Sequence, residues 1–186
     1  MGEASRLSSE GLDLWESGDL FGAEAKTRQA LDLLPADHWA ASHVRGQLAG
    51  ILDALGRREE AREQYQRTLQ EELKSVGGNE LDSSLTATRF FLGDLLIRTG
   101  DAAAALDIVR PGIQSKPEGD AALQLVEAEA LLLIGKRVEA IEAARRSLAS
   151  STTDAHRERI NNRRLNLVWC QINSTQRAGS PTGIRD

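Results

Sequence analysis

Apolar residues recur at three- and four-residue steps along most of the chain, and glycine interrupts them at regular intervals. Leu7, Leu12, Leu14 and Trp15 give residues 5–17 one broad apolar face, which predicts a helix. Gly11 leaves room for a neighbouring helix, and Gly18 stops this one, because glycine takes the left-handed C-terminal conformation at low cost. Asp19 then caps a second helix over about 20–34, in which Ala23, Ala30, Leu31 and Leu34 form the packing stripe and Pro35 marks the end.

The same succession returns. Leu52 to Leu69 reads LDALGRREEAREQYQRTL, a helix end, a glycine break and a helix start. It shares its form with Glu16-Ser17-Gly18-Asp19 leading to Ala23, Arg98-Thr99-Gly100-Asp101 leading to Ala105, and Ile134-Gly135-Lys136-Arg137 leading to Ala140. An alanine stands five residues after the glycine each time, and Gly18, Gly56, Gly100 and Gly135 lie 38, 44 and 35 residues apart. A local pattern repeated at such a period marks a helical solenoid. Further helices are expected over 82–99, 102–115, 119–134 and 137–150, with Asp82 or Ser83 as a cap and with Pro111 bending or ending its helix near Arg110. A capping helix over 153–175, carrying Trp169, and a disordered tail over 176–186 would complete the chain.

A small residue in the first helix, Gly-Asp at the turn, alanine early in the second helix, alanine again seven residues on and a closing proline resemble the tetratricopeptide repeat. Gly11, Gly18, Ala23, Ala30 and Pro35 carry that likeness in the first unit, and Leu48, Ala49, Gly56, Ala61 and Tyr65 carry it in the second. The third unit supplies Leu92, Gly93, Gly100 and Ala105, and the fourth Ala128, Gly135 and Ala140. Thr27 departs from the pattern where the family usually has an aromatic, and Leu7 departs where it has a tryptophan. The resemblance covers residues 4–152, as units over 4–36, 37–76, 79–116 and 118–152. It implies an all-α, right-handed α-α superhelix of four helix pairs. The extra residues fall at Pro35–Ser42 and Leu73–Ser83, between one pair and the next, so the longer kinesin-light-chain type is the nearer likeness. In bacteria that type also occurs in multidomain signalling proteins.

Composition changes the picture little. The net charge of −5 divides into an acidic body and a basic end, with ten Lys/Arg against five Asp/Glu over residues 136–186. Arg145, Arg146, Arg157, Arg159, Arg163 and Arg164 could contact phosphate, but the overall negative charge and the lack of a nucleic-acid motif argue against nucleic acid as partner. Cys170 is the single cysteine, so an intramolecular disulfide is excluded. No apolar run reaches the ~20 residues of a membrane span, and the N-terminus does not read as a signal peptide. A cytoplasmic location is the expectation.

Chemistry is sparse. His38, His43 and His156 lack metal-ligand spacing, Val76-Gly77-Gly78-Asn79 lacks the lysine of a phosphate-binding loop, and no serine stands in a nucleophile elbow. Glu59-Glu60 and Glu71-Glu72 are adjacent on helices and read as solvated faces. Neither an enzyme activity nor a cofactor or metal is expected.

A binding surface is what remains. In the family that the chain resembles, the first helix of each pair lines a concave groove that holds a peptide. The matching positions include Trp15, His43, Gly50, Asp53, Phe90, Asp94, Arg98 and Glu129. The resemblance thus implies aromatic anchors at Trp15 and Phe90 and an acidic surround favouring a basic-apolar protein or peptide partner. The alternatives are a regulatory module of a bacterial kinase or transcription regulator, and a self-associating adaptor that forms a homodimer. The cationic and amide set of carboxylate-clamping relatives is missing, since the matching positions hold Ser5, Ser8, Leu12, Gly46 and Gly50.

Overall fold

The glycine breaks fold as one turn made four times. Gly56 has φ of +79°; its N–H donates to the Asp53 carbonyl at 2.9 Å, and the next N–H, of Arg57, donates to Leu52 at 2.9 Å. This Schellman closure satisfies carbonyls that a helix end would otherwise leave bare. Gly18, Gly100 and Gly135 have φ of +91°, +85° and +81°, and the residue after each donates five positions back, Asp19 to Leu14, Asp101 to Leu96 and Lys136 to Leu131.

A computed structural model describes residues 2–35, 38–77, 82–116 and 119–151. These form the helices α1 (Glu3–Ser17), α2 (Leu20–Asp32), α3 (Trp39–Ala54), α4 (Arg58–Ser75), α5 (Ser83–Arg98), α6 (Ala102–Ser115), α7 (Ala121–Leu133) and α8 (Arg137–Ala149). No strand occurs among the described residues. The expected capping helix over 153–175 and tail over 176–186 lie outside them. No helix among the described residues is long and apolar enough to cross a membrane.

Each helix packs on the next, and α1 also touches α3, α3 touches α5, and α5 touches α7. The odd-numbered helices therefore form a continuous layer. Ala23, Ala61, Ala105 and Ala140, the alanines that follow the four turns, are all completely buried. Their small side chains let the paired helices approach closely, as the repeat spacing required. Thr27 is completely buried too, and a methyl added to Gly11 would lie 2.5 Å from its hydroxyl oxygen. Glycine in α1 and threonine in α2 thus fit each other where a larger pair would be more usual for the repeat. The main core runs from Leu48 and Ala49 of α3 through Leu92 and Leu96 of α5 to Ala140 and Ala144 of α8.

Helix starts follow local chemistry. Asp19 accepts from Gly22 N, Asp82 from Ser84 N, Asp101 from Ala104 N, and Asp120 from both Ala122 N and Leu123 N. Each carboxylate satisfies a donor that the first turn leaves open. Of the two residues considered as the α5 cap, Asp82 performs the role.

Two expectations are corrected. Helix α6 does not end at Arg110; it runs through Pro111 to Ser115. Proline lacks an N–H and so deprives the Asp107 carbonyl of its i+4 donor, while the buried Arg89 of α5 donates from Nη1 to the neighbouring Ile108 carbonyl. The segment from Leu73 onward is not all loop either. Helix α4 continues to Ser75 and has 18 residues, against 13 in α2.

Gly93 shows how tightly three helices meet. A β-carbon there would lie 2.8 Å from Cγ1 of Val126 and 3.0 Å from Cγ1 of Val109. Gly93→Ala should therefore destabilise the fold by about 1–3 kcal/mol through overpacking. At Gly46 the nearest neighbour would be at 3.7 Å, and Gly46→Ala should be neutral or stabilising by up to about 1 kcal/mol from helix propensity. Urea unfolding of the two variants beside the wild type measures the contrast.

Candidate functional site

The layer of odd-numbered helices carries a cleft of about 340 Å³ between α1, α3, α4 and α5. Leu12 and Trp15 come from α1, and Ser42, His43, Gly46 and Gln47 from α3. Tyr65, Thr68 and Glu72 come from α4, and Ser84, Ala87, Thr88 and Phe91 from α5. Helix α4, with 18 residues, contributes three of these side chains.

Trp15 and His43 of the expected groove both line the cleft. Gly50 lies beneath Trp15, since a β-carbon on it would meet the indole Cη2 at 2.4 Å. Glycine at this position lets the far edge of the indole reach the α3 backbone. The walls are pinned by a reciprocal contact between α1 and α3, in which Ser8 Oγ donates to Gln47 Oε1 at 2.8 Å and Gln47 Nε2 donates to the Ser8 carbonyl at 3.0 Å.

Phe90 is not an anchor of the cleft. It packs against Val109, Leu123 and Val126 on the core side of α5. Its neighbour Phe91 takes the other direction and is 51 % exposed. Phe91 stacks on Tyr65, with ring centroids 6.2 Å apart and planes 10° from parallel, and meets Phe90 edge-on at 5.3 Å. Residues one apart on a helix point about 100° from each other, so the pair could only divide between the two faces.

Asp53, Asp94 and Arg98 are brought together, as a network internal to the chain. Arg98 Nε donates to Asp94 Oδ2 at 2.9 Å, and Arg98 Nη1 donates to Asp53 Oδ1 at 3.1 Å. These bonds, with Asp53 foremost, raise the Arg98 guanidinium above its ordinary range despite partial burial. The network adjoins Tyr65, whose phenol is pushed upward first by burial and then by the Asp53 charge. Glu129 of α7 is half-buried and does not line the cleft.

Glu72 was read as part of a solvated face with Glu71, and this is corrected. Glu71 pairs with Arg45 and Arg67, while Glu72 is only 8 % exposed and lines the cleft. Its Oε2 is buried with no hydrogen-bond partner. Burial raises its carboxyl above the ordinary range; a hydrogen bond with Thr88 opposes this, and the charges of Asp82 and Glu71 add to it. The sequence did carry a signal. Tyr65, Thr68, Leu69 and Glu72 share one buried face at three- and four-residue steps. His38 caps α3 through Nδ1, which accepts from Ala40 N. No three of the described His, Cys, Asp and Glu residues are grouped to hold a metal ion. Of the arginines considered for phosphate contact, Arg146 donates to Glu127 at 2.8 Å, and those from Arg157 onward lie outside the described residues.

Two predictions follow from this geometry. Gly50→Ala should tilt the Trp15 indole outward, giving a red-shifted emission in a Trp39→Phe/Trp169→Phe background while the helical circular dichroism is kept. Glu72 binds its proton more tightly in the folded than in the unfolded chain, so stability must fall as pH rises through the interval between the two values. Glu72→Gln removes that interval: its melting temperature should gain on the wild type as pH rises from about 4.5, then hold a constant lead once the folded carboxyl is ionised. A constant difference across pH would contradict the burial of this group.

No protein-family model and no curated protein matches the sequence. Solved structures do. A crystal structure of MamA is 15 % identical, with 79 % of this chain and 77 % of that chain covered and a TM-score of 0.64. MamA from Desulfovibrio magneticus RS-1, residue 41 to the end, is 13 % identical over 97 % and 98 % of the two chains, with a TM-score of 0.67. Nearly identical TPR-like repeats from Podosopora anserina, which carry a kinesin light chain name, are 18 % identical over 98 % and 100 %, with a TM-score of 0.68. At these identities the likeness is one of fold: this chain is a tetratricopeptide-type helical repeat protein in architecture.

Proposed function

We propose that the chain is a non-catalytic scaffold that holds a segment of a protein partner in the cleft between α1, α3, α4 and α5. The observation that carries this reading is the aromatic wall. Phe91 is half exposed yet already stacked on Tyr65, and Trp15 stands opposite across glycines of α3. Rings held in place before binding lose little conformational freedom on contact, which is why aromatic residues dominate binding hot spots. The chemistry favours a basic-apolar segment. Glu72 enters the cleft, and the carboxylates of Asp53 and Asp94 stand with Arg98 beside Tyr65.

Random 12-residue peptides displayed on phage and selected on the wild-type protein provide the test. Selected peptides should lose affinity by about tenfold or more with Trp15→Ala or Phe91→Ala, as truncated hot spots do. They should be unaffected by Asp107→Ala on the exposed side of α6. Equal loss in all three variants, or in none, would remove the cleft as the binding site.

A further inference from the structure

We propose that Glu72 forms the floor of a lysine-selective subsite: one lysine of the bound segment lays its methylenes along Trp15, Tyr65 and Phe91 and brings its ammonium to the Glu72 carboxylate. This inference rests on the reading of the cleft as a binding surface and names what that surface selects.

The Glu72 carboxylate is incompletely paired. Buried carboxylates are normally matched by a cation or a full set of donors, because the charge loses its water on burial. Thr88 supplies one hydrogen bond to Glu72, and Oε2 has none. The surroundings do not compensate. Glu71 and Asp82 are acidic and act on Glu72 unfavourably. Arg45 and Arg67 are engaged by Glu71, and among the described residues no cation shifts the Glu72 carboxyl. His43 and the Tyr65 phenol are the remaining titratable groups on the cleft wall. Among the described residues, the neighbouring helices therefore provide Glu72 with no positive charge.

The shape of the cleft selects the donor. Its volume, about 340 Å³, is at the small end of ligand sites and suits one long side chain better than a helix. Aromatic faces accept an aliphatic stem, and they attract a cation through their quadrupoles. Arginine recognises carboxylates through two parallel bonds from a planar fork. Thr88 already engages the carboxylate and Oε2 is the atom with no partner, a vacancy that a single compact ammonium fills. Oε2 is sealed from solvent in the unbound form, so contact requires a modest turn of the side chain toward the cleft, a common rotamer change on binding.

The 12-residue peptides selected on the wild-type protein test the proposal directly. Their consensus should fix lysine at one position, flanked by apolar residues. In isothermal titration with the synthetic consensus peptide, replacing that lysine by norleucine should weaken binding about tenfold or more, and replacing it by arginine should weaken it about threefold. With Glu72→Gln the lysine and norleucine peptides should bind within about twofold of each other. A consensus without a fixed lysine, equal affinity of the lysine and norleucine peptides for the wild type, or an undiminished preference in Glu72→Gln each overturns the subsite while leaving the scaffold reading intact. Failure to select any peptide removes both.

Discussion

Everything in this chain hangs from the left-handed glycine that closes the first helix of each pair. A backbone at φ near +80° to +90° reverses direction in two residues and still satisfies the terminal carbonyls. The reversal brings an alanine, five residues later, against the preceding helix. Because those alanines have no measurable exposure, the interaxial distance is set by methyl groups and leaves no slack for the next pair to take a different orientation. Four such turns in phase give a repeated geometry with no long-range pairing. Each unit needs only its neighbour to bury its apolar face.

This is also why the fold was legible in the sequence and part of the site was not. Glycine, alanine and aspartate at fixed intervals specify local backbone events, and local events survive without knowledge of the tertiary structure. Helix boundaries for α5 to α8 followed from them within about two residues. The span of α6 over 102–115 was legible, but the local rule for Pro111 does not see its tertiary neighbour. Arg89 of α5, distant in sequence, donates to the carbonyl beside the one left without its donor. Phe90 and Phe91 could not be told apart by type, since both are aromatic and only the packing of α5 on α6 and α7 decides which turns inward. Glu71 and Glu72 posed the same problem with opposite stakes. One of the pair meets Arg45 and Arg67, and the other enters the cleft.

The irregular spacing of the repeats acquires a physical meaning here. Extra residues after the second unit looked like a longer connection, yet part of that length extends α4. A helix of the length of α2, begun at Arg58, would stop near Gln70. The residues beyond it carry Glu71 to Arg45 of α3 and Glu72 to Thr88 of α5. The length of α4 thus places an acidic group on a wall of aromatic and neutral polar side chains. The first unit, with Thr27 in place of a large aromatic, leaves α1 close against α2, and Trp15 is the part of α1 that crosses to Gly50.

A carboxylate in that position opposes folding, and its persistence needs an account beyond packing. A buried polar atom left without a partner costs about 1–3 kcal/mol, a substantial share of the stability of a small domain. Glutamine would keep the volume and remove the charge, and leucine would suit the neighbouring Leu69 and Tyr65 at least as well. An apolar substitute would strengthen the α4–α5 contact but leave the cleft without a charge to read. The aromatic wall alone would bind apolar segments with little discrimination, because hydrophobic contact is non-directional. A carboxylate that is under-satisfied in the free protein reverses this: a segment lacking a cation leaves the defect in place, and one presenting an ammonium repairs it. The same unmatched oxygen that weakens the unbound fold is then the source of selectivity in the bound one.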